Sequence, residues 1–369
     1  VQVGFEITRA CNYSCDHCFS TAGSPLPREL TLREIQKILD SIYDCGILFV
    51  NITGGEPVLR KDITAILQYV QTFGEAQILH FQTNGTAWGR SFLEEFLRIC
   101  ANHQGIDVQI SLDGYDPASY MKARGGSPEN FQRIINLIKV LKEHNIEVNV
   151  LMTITRTTLP FAVKTADFAL ELGVDQFLMI PFFPTGRGLI RFPSVEFSRE
   201  SWKAFLVDVT TRKRDGMWGD NTRRVEVGFF TLYDFVIPLE EAGLEKEIQS
   251  VWRFKEEDFH AQSKRPTICE AGYTDLHINA QGKVYPCTPL NDTSLVAGSA
   301  LTDSLSTIWE ESPCLNWFRT DAQKVCELEP CKSCRHRCVC GGGCRGSALC
   351  LSGDCNALDP RCPIVAQYK

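Results

Sequence analysis

Several things are missing from this 369-residue chain. No run approaches the roughly 18 apolar residues that a membrane-crossing helix needs. No basic stretch followed by an apolar one opens it, so no signal peptide is visible. The chain begins at Val1 rather than Met, which leaves room for residues upstream. Basic charge is in deficit: 38 Lys and Arg stand against 45 Asp and Glu, a formal charge of -7. An acidic whole argues against a broad nucleic-acid footprint, although it is compatible with a local basic pocket. No repeat of about 20–50 residues runs through the sequence. Hydrophobic residues at 44% and charged residues at 22% are ordinary for a globular protein. A chain of this length suits about two or more domains.

Cysteine is what the chain has in excess, with 17 in all. A secreted disulfide scaffold is short, has an even count and carries a signal peptide. Here the count is odd, the chain is long, and the cysteines gather at two places. Metal or iron–sulfur ligation in a reducing compartment, the cytoplasm, is the expectation. Cys11, Cys15 and Cys18 form C-x3-C-x2-C just after the strand-like run Val1–Ile7. Three thiolates on a four-iron cluster leave one iron open, and an open metal position is where chemistry occurs.

The first half alternates strand and helix patterns. Strands are expected at Val3–Ile7, Leu48–Ile52, Gln77–Gln82, Ile106–Leu112, Glu147–Ile154 and Asp175–Pro181. Helices are expected near Leu32–Tyr43, Ile63–Thr72, Ser91–Cys100, Phe131–His144 and Phe161–Leu172. Alternation of this kind implies parallel strands with right-handed crossovers. Six strands suggest an α/β fold with a partial (β/α)6 barrel, whose active residues sit on loops after the strand C-termini. The expected division is a barrel over 1–188, a mixed and mostly helical bridge over 189–266, and a small cysteine-rich α+β domain over 267–369. In the last, Asp275–Ile278 and Lys283–Tyr285 flank Asn279 to Gly282 as a hairpin.

Further motifs stand at the ends of the barrel strands. Gly54, Gly55, Glu56 and Pro57 follow the second, Asn84 and Gly85 the third. Ser111, Leu112, Asp113 and Gly114 follow the fourth, with Arg124 downstream. Taken singly, the cysteines could be a zinc loop, the glycine pair a tight turn and Arg124 a solvated charge. Together and in this order, with His17 and Phe19 flanking Cys18, they resemble the radical S-adenosylmethionine (SAM) enzymes. The resemblance implies that Cys11, Cys15 and Cys18 hold a [4Fe-4S] cluster whose open iron chelates SAM. Gly54, Gly55, Glu56 and Pro57 would hold the methionine amino group, with Asn84 nearby. Ser111 and Arg124 would take the SAM carboxylate, as an arginine fork and a hydroxyl suit one. Met179 would pack near adenine. One electron then cleaves SAM to methionine and a 5′-deoxyadenosyl radical, which abstracts a substrate hydrogen.

Nine cysteines fall between Cys326 and Cys362, and Cys331, Cys334, Cys340 and Cys344 read C-x2-C-x5-C-x3-C. Upstream, Cys269 and Cys287 flank Gly282. This pattern resembles the SPASM extension of radical SAM proteins, which carries two auxiliary four-iron clusters. The resemblance implies Cys269, Cys287 and Cys344 for the first and Cys331, Cys334, Cys340 and Cys362 for the second, three clusters in total. Where some members have a fourth cysteine for the first cluster, this chain has Asp275. An open iron, an Asp ligand or a spare cysteine remain alternatives there. Cys314, Cys326, Cys338, Cys350 and Cys355 have no assigned role, and Cys45 and Cys100 read as buried apolar residues. Paired zinc sites are the plain alternative for the region. Lys332, Arg335, Arg337, Arg345 and Arg361 can offset the thiolate charge, with Arg345 expected to hold a carbonyl or sulfide.

SPASM proteins commonly modify peptides, and some act on small molecules. In anaerobic sulfatase-maturing members an Asp base follows the second SPASM cysteine; here it is Thr288, which discounts that activity. The segment Pro181–Gly188 resembles a loop of members acting on haem precursors, and Arg187 in it either grips a substrate carboxylate or forms an exposed turn. The leading expectation is oxidative modification of a ribosomal peptide, by a thioether or carbon–carbon crosslink. The alternative is a small-molecule substrate such as a haem precursor, and a third class is an iron–sulfur carrier without SAM cleavage. Expected partners are a peptide substrate, an electron donor such as flavodoxin or ferredoxin, and a possible separate peptide-recognition protein, with no nucleic acid and no membrane. The catalytic base is not legible.

Overall fold

The computed structural model describes residues 1–76, 78–101, 105–256 and 267–368. Gln77, the start of the third expected strand, and 257–266, the end of the expected bridge, lie outside the described residues. Among the described residues no helix is long and apolar enough to cross a membrane.

The six expected strands form and pair in parallel, in chain order: β1 (Gln2–Glu6), β2 (Phe49–Thr53), β3 (Ile78–Thr83), β4 (Ile106–Ser111), β5 (Glu147–Ile154) and β6 (Gln176–Pro181). Five helices follow as the periodicity predicts, α1 (Leu32–Asp44), α2 (Ile63–Val70), α3 (Arg90–Ala101), α5 (Pro128–Glu143) and α6 (Ala162–Glu171), and a sixth that it does not predict, α4 (Pro117–Arg124), precedes α5. Their starts are chemically marked. Thr31 and Glu34 close a capping box on α1, and Asp116 with Ser119 does the same on α4 ahead of Pro117.

Strand alternation divides the sheet into two unlike faces. Val50, Ile52, Leu79, Phe81, Val108, Ile110, Val148, Val150, Met152, Phe177 and Met179 are buried with the helix residues in one core. Alternate positions carry polar groups instead: Glu6, Asn51, Thr53, His80, Gln82, Asp107, Gln109, Ser111, Asn149 and Thr153. Of these, Thr53, Gln82, Ser111 and Thr153 line one cavity together with apolar Leu151 and Ile180.

The sheet runs beyond the six strands. β7 (Val225–Val227), from within the expected bridge, pairs parallel to β6. The expected hairpin forms as β8 (Asp275–Ile278) and β9 (Lys283–Tyr285), its turn held by Asn279 Oδ1, which accepts the N–H groups of Gln281 and Lys283, both at 3.0 Å. β8 also pairs parallel to β1. With β10 (Gly298–Ser299) the order is β10-β9-β8-β1-β2-β3-β4-β5-β6-β7. The cysteine-rich segment is therefore an extension of the barrel sheet, and it brings Cys287 to the side of the first strand.

Candidate active site

The loop after β1 carries Cys11, Cys15 and Cys18. An N–H from Cys11 to Gly23 O at 2.8 Å and one from Cys18 to Cys15 O at 3.2 Å shape it. The sulfurs already have donors: Tyr13 N–H reaches Cys11 Sγ at 3.4 Å, Ala22 N–H reaches Cys18 Sγ at 3.3 Å, and Arg124 Nη1 reaches Cys15 Sγ at 3.9 Å. Donors aimed at sulfur favour the thiolate, the form that binds iron. Burial pushes the Cys11 thiol up to about 11 and raises Cys15, against which the Arg124 charge pulls Cys15 down. Metal binding is what would complete deprotonation.

The three cysteines share one cavity with Gly54, Gly55, Asn84, Ser111 and Arg124, so five of the eight expected SAM contacts come together there. Three do not line it. Met179 is on the wrong face of its strand: alternation buries it with Phe177 and presents Ile180 to the cavity. Pro57 opens a short 3-10 turn, Pro57–Leu59. Glu56 is fully buried, and its carboxylate is already occupied. It accepts the Thr83 hydroxyl and the Asn84 N–H, each at 2.7 Å, and the Val58 N–H at 3.3 Å. Burial pushes its carboxyl up to about 7 against those donors. The two glycines are required by close passage. A Cβ on Gly54 would stand 2.5 Å from Thr8 O, and one on Gly55 2.2 Å from Ala10 O.

Sequence reasoning missed the groups that hold these residues in place. Asp113 is fully buried; its Oδ2 accepts Arg124 Nε at 2.6 Å and its Oδ1 accepts Thr153 N–H at 2.8 Å. It aims Arg124 at the cavity. His17 lies 3.6 Å from the same carboxylate, and burial lowers it to about 4, so the imidazole is neutral. Asn84 Nδ2 donates to Asn12 Oδ1 at 2.9 Å and ties the β3 end to the cysteine loop. Arg187 is turned onto the cysteine loop rather than forming an exposed turn. Its N–H donates to Cys18 O at 2.9 Å, Nη1 to Cys15 O at 3.0 Å and Nη2 to Ala22 O at 2.5 Å.

In the C-terminal segment Cys331, Cys334, Cys340 and Cys362 line one small cavity. Cys340 accepts N–H groups of Gly342 and Gly343, and Cys362 those of Ile364 and Val365. Gly341, Gly342 and Gly343 all have positive φ (68°, 92° and 87°), a backbone path that side chains resist. Cys269, Cys344 and Asp275 lie close enough to Cys287 to raise its thiol, behind the larger effect of burial. Burial pushes the Asp275 carboxyl up to about 8. A tetrahedral zinc with Zn–S of about 2.3 Å needs sulfurs about 3.8 Å apart. Among the described residues no three cysteine sulfurs lie within 4.8 Å of one another. The one group that is so close, Glu240, Glu256 and His336, uses opposite ring nitrogens of His336 and is an ion-pair network.

Arg345 holds the carbonyls of Cys355 at 3.1 Å and Ala357 at 2.8 Å, as well as that of Gly342. Arg335 and Arg337 pair with Glu240 and Glu327, and Arg361 with Glu196. Among the spare cysteines, Cys326 neighbours Cys331, Cys314 neighbours Cys355, Cys350 meets Thr185 and Cys338 is exposed. Cys45 is exposed rather than buried, because it falls at the C-cap of α1, past the apolar face.

A family profile for the radical SAM superfamily matches residues 5–168, and one for an iron–sulfur cluster-binding domain, SPASM, matches residues 269–335. The chain is 26% identical over 365 residues to the mycofactocin maturase MftC of Mycolicibacterium smegmatis, covering 97% of this chain and 81% of the relative. It is 26% identical over 362 residues to the AdoMet-dependent heme synthase of Methanosarcina barkeri, covering 98% and 95%. Among solved structures, Streptococcus suis SuiB bound to its precursor peptide SuiA superposes with a TM-score of 0.73 at 20% identity, over 98% of this chain and 75% of that one.

Proposed function

The chain belongs to the radical SAM superfamily and carries a SPASM iron–sulfur domain, and on that premise we propose that this enzyme oxidatively modifies a ribosomal peptide, forming a thioether or carbon–carbon crosslink. The observation that carries the reading is the meeting of Cys11, Cys15 and Cys18 with Ser111 and Arg124 in one cavity at the strand C-termini. The relative named as a peptide maturase supports the substrate class.

Cys11, Cys15 and Cys18 would hold a [4Fe-4S] cluster, and with SAM bound this supplies a 5′-deoxyadenosyl radical for hydrogen abstraction. The chain's own residues do the placing. Arg124, aimed by Asp113, and Ser111 would take the SAM carboxylate. The backbone at Gly54 and Gly55 would hold its ammonium, and Asn84 holds the β3 end against the cysteine loop. Glu56 acts from behind, fixing Thr83 and Asn84. Cys269, Cys287 and Cys344, and separately Cys331, Cys334, Cys340 and Cys362, would hold two auxiliary clusters that take up the electron left on the substrate. Domains at 1–188, 189–266 and 267–369, a flavodoxin- or ferredoxin-type donor, a separate peptide-recognition protein and a cytoplasmic setting complete the proposal.

Anaerobically reconstituted protein is incubated with SAM, dithionite and candidate peptides. Peptide-dependent 5′-deoxyadenosine and a product two hydrogens lighter are expected. The second reading, a haem-precursor substrate, is supported by the near full-length likeness to a heme synthase. Turnover that depends on a porphyrin precursor and not on any peptide would replace the first reading with the second.

A further inference from the structure

Asp359 is fully buried and stands between two cysteine-bearing segments. Its Oδ2 accepts the N–H of Cys344 and the phenol of Tyr233, both at 2.8 Å. Its Oδ1 accepts the Ser347 hydroxyl at 2.8 Å and the N–H of Arg361 at 3.1 Å. Its backbone carbonyl accepts the N–H of Cys362 at 3.2 Å. The carboxyl is met by four donors, which suits a group that only accepts. An asparagine here would turn its NH2 toward either the Cys344 or the Arg361 N–H, and neither can accept. The fit is close: a Cβ on Gly343 would stand 2.7 Å from Asp359 Cβ.

The Arg361 guanidinium is already committed elsewhere. Arg361 Nε pairs with Glu196 at 3.0 Å, and its Nη2 lies 3.8 Å from Asp234. That guanidinium is shared between Glu196 and Asp234 while also feeling the charge of Asp359, in a largely buried setting where charge is weakly screened. A fixed negative charge beside an iron–sulfur ligand opposes the entry of an electron, and hydrogen bonds to that charge relieve the opposition.

We propose that Asp359 is a positioning residue that holds the Cys344 and Cys362 segments in one frame and lowers the reduction potential of the cluster carried by Cys344, with Tyr233 moderating the effect through its hydrogen bond. The proposal rests on the reading that these cysteines carry auxiliary clusters. It makes Asp359 the point at which an electron's position between the two auxiliary centres is biased.

The test is an EPR-monitored redox titration of the anaerobically reconstituted full chain. Asp359→Ala removes the charge, and the midpoint of the cluster carried by Cys344 is expected to rise. Tyr233→Phe removes a donor and leaves more charge on the carboxylate, and the same midpoint is expected to fall. The SAM-binding cluster should not move in either variant. Opposite signs mark a charge effect, which loosened packing would not produce. Shifts of the same sign, or unmoved potentials at full iron content, overturn the proposal. If Asp359→Ala does not fold, Ser347→Ala joins Tyr233→Phe, since each removes one donor and each should lower the midpoint. Wild-type protein holding about four irons rather than about twelve would instead overturn the auxiliary-cluster reading, and this proposal with it.

Discussion

Arg187 donates from Nη1 to the carbonyl oxygen of Cys15 at 3.0 Å, across 172 residues of sequence. With its bonds to Cys18 and Ala22 it makes the loop after β6 a brace for the loop after β1. The two loops follow the first and the last of the six parallel strands, so the brace ties together segments that lie five strands apart in the sheet.

Replacing Arg187 with Ala leaves the Cys15 and Ala22 carbonyls without these donors, at about 1–3 kcal/mol each where water cannot replace them. Lys cannot serve both, because a point charge does not reproduce the fork. Iron per chain in Arg187→Ala and Arg187→Lys is expected to fall by roughly the four irons of the SAM-binding cluster. A substrate-gripping arginine would instead give full iron and a raised KM for substrate.

Arg124 sits within the cavity under the control of Asp113. Arg124→Lys keeps the charge and loses the fork, so SAM affinity measured by calorimetry should drop about tenfold or more, roughly 1.4 kcal/mol, at unchanged iron content. Asp113→Asn should weaken SAM binding in the same direction, since the guanidinium loses its buried carboxylate.

Gly55→Ala pushes a Cβ to 2.2 Å from Ala10 O, a backbone atom that cannot swing aside. The expected cost is roughly 3 kcal/mol or more, read as a lowered urea midpoint of the metal-free chain. Gly89→Ala, whose Cβ meets nothing within 4 Å, should change stability by no more than about 0.5 kcal/mol.

Glu56 gives a pH dependence. Burial pushes its folded carboxyl up to about 7, above the ordinary carboxyl value of about 4.3. The folded state therefore binds the proton more tightly than the unfolded one. The stability this supplies is complete below about pH 4.3 and is lost as pH rises through about 7, roughly 4 kcal/mol over the window. Glu56→Gln should flatten that part of the profile in denaturation of the metal-free chain between pH 5 and 8. A variant profile parallel to wild type would show that Glu56 does not titrate there. Asp275, raised to about 8 by burial, adds a slope of the same sign that Glu56→Gln leaves intact.

The strands and helices of the barrel were legible because period-2 and period-3.6 patterns are local. The cysteine loop was legible because its three ligands fall within eight residues. Glu56 and Met179 were legible as positions but not as contacts. A motif names a residue without saying which side of the strand it faces or which donors reach it first. Cys45 fell one residue past the end of its helix, a margin that periodicity does not resolve.

The sequence by itself determined the parallel order of six strands, the place of the thiolates at their C-terminal ends, and the chemical class those thiolates imply. Tertiary structure alone decided that β8 joins β1 and draws Cys287 to the barrel, that Arg187 braces the cysteine loop, that Asp113 aims Arg124, and that Asp359 ties Cys344 to Cys362. The reason is one of range. Hydrophobic periodicity and ligand spacing act over a few residues. A buried arginine or carboxylate takes its partners from whatever donors and acceptors folding brings within 3 Å, and those lie tens to hundreds of residues away.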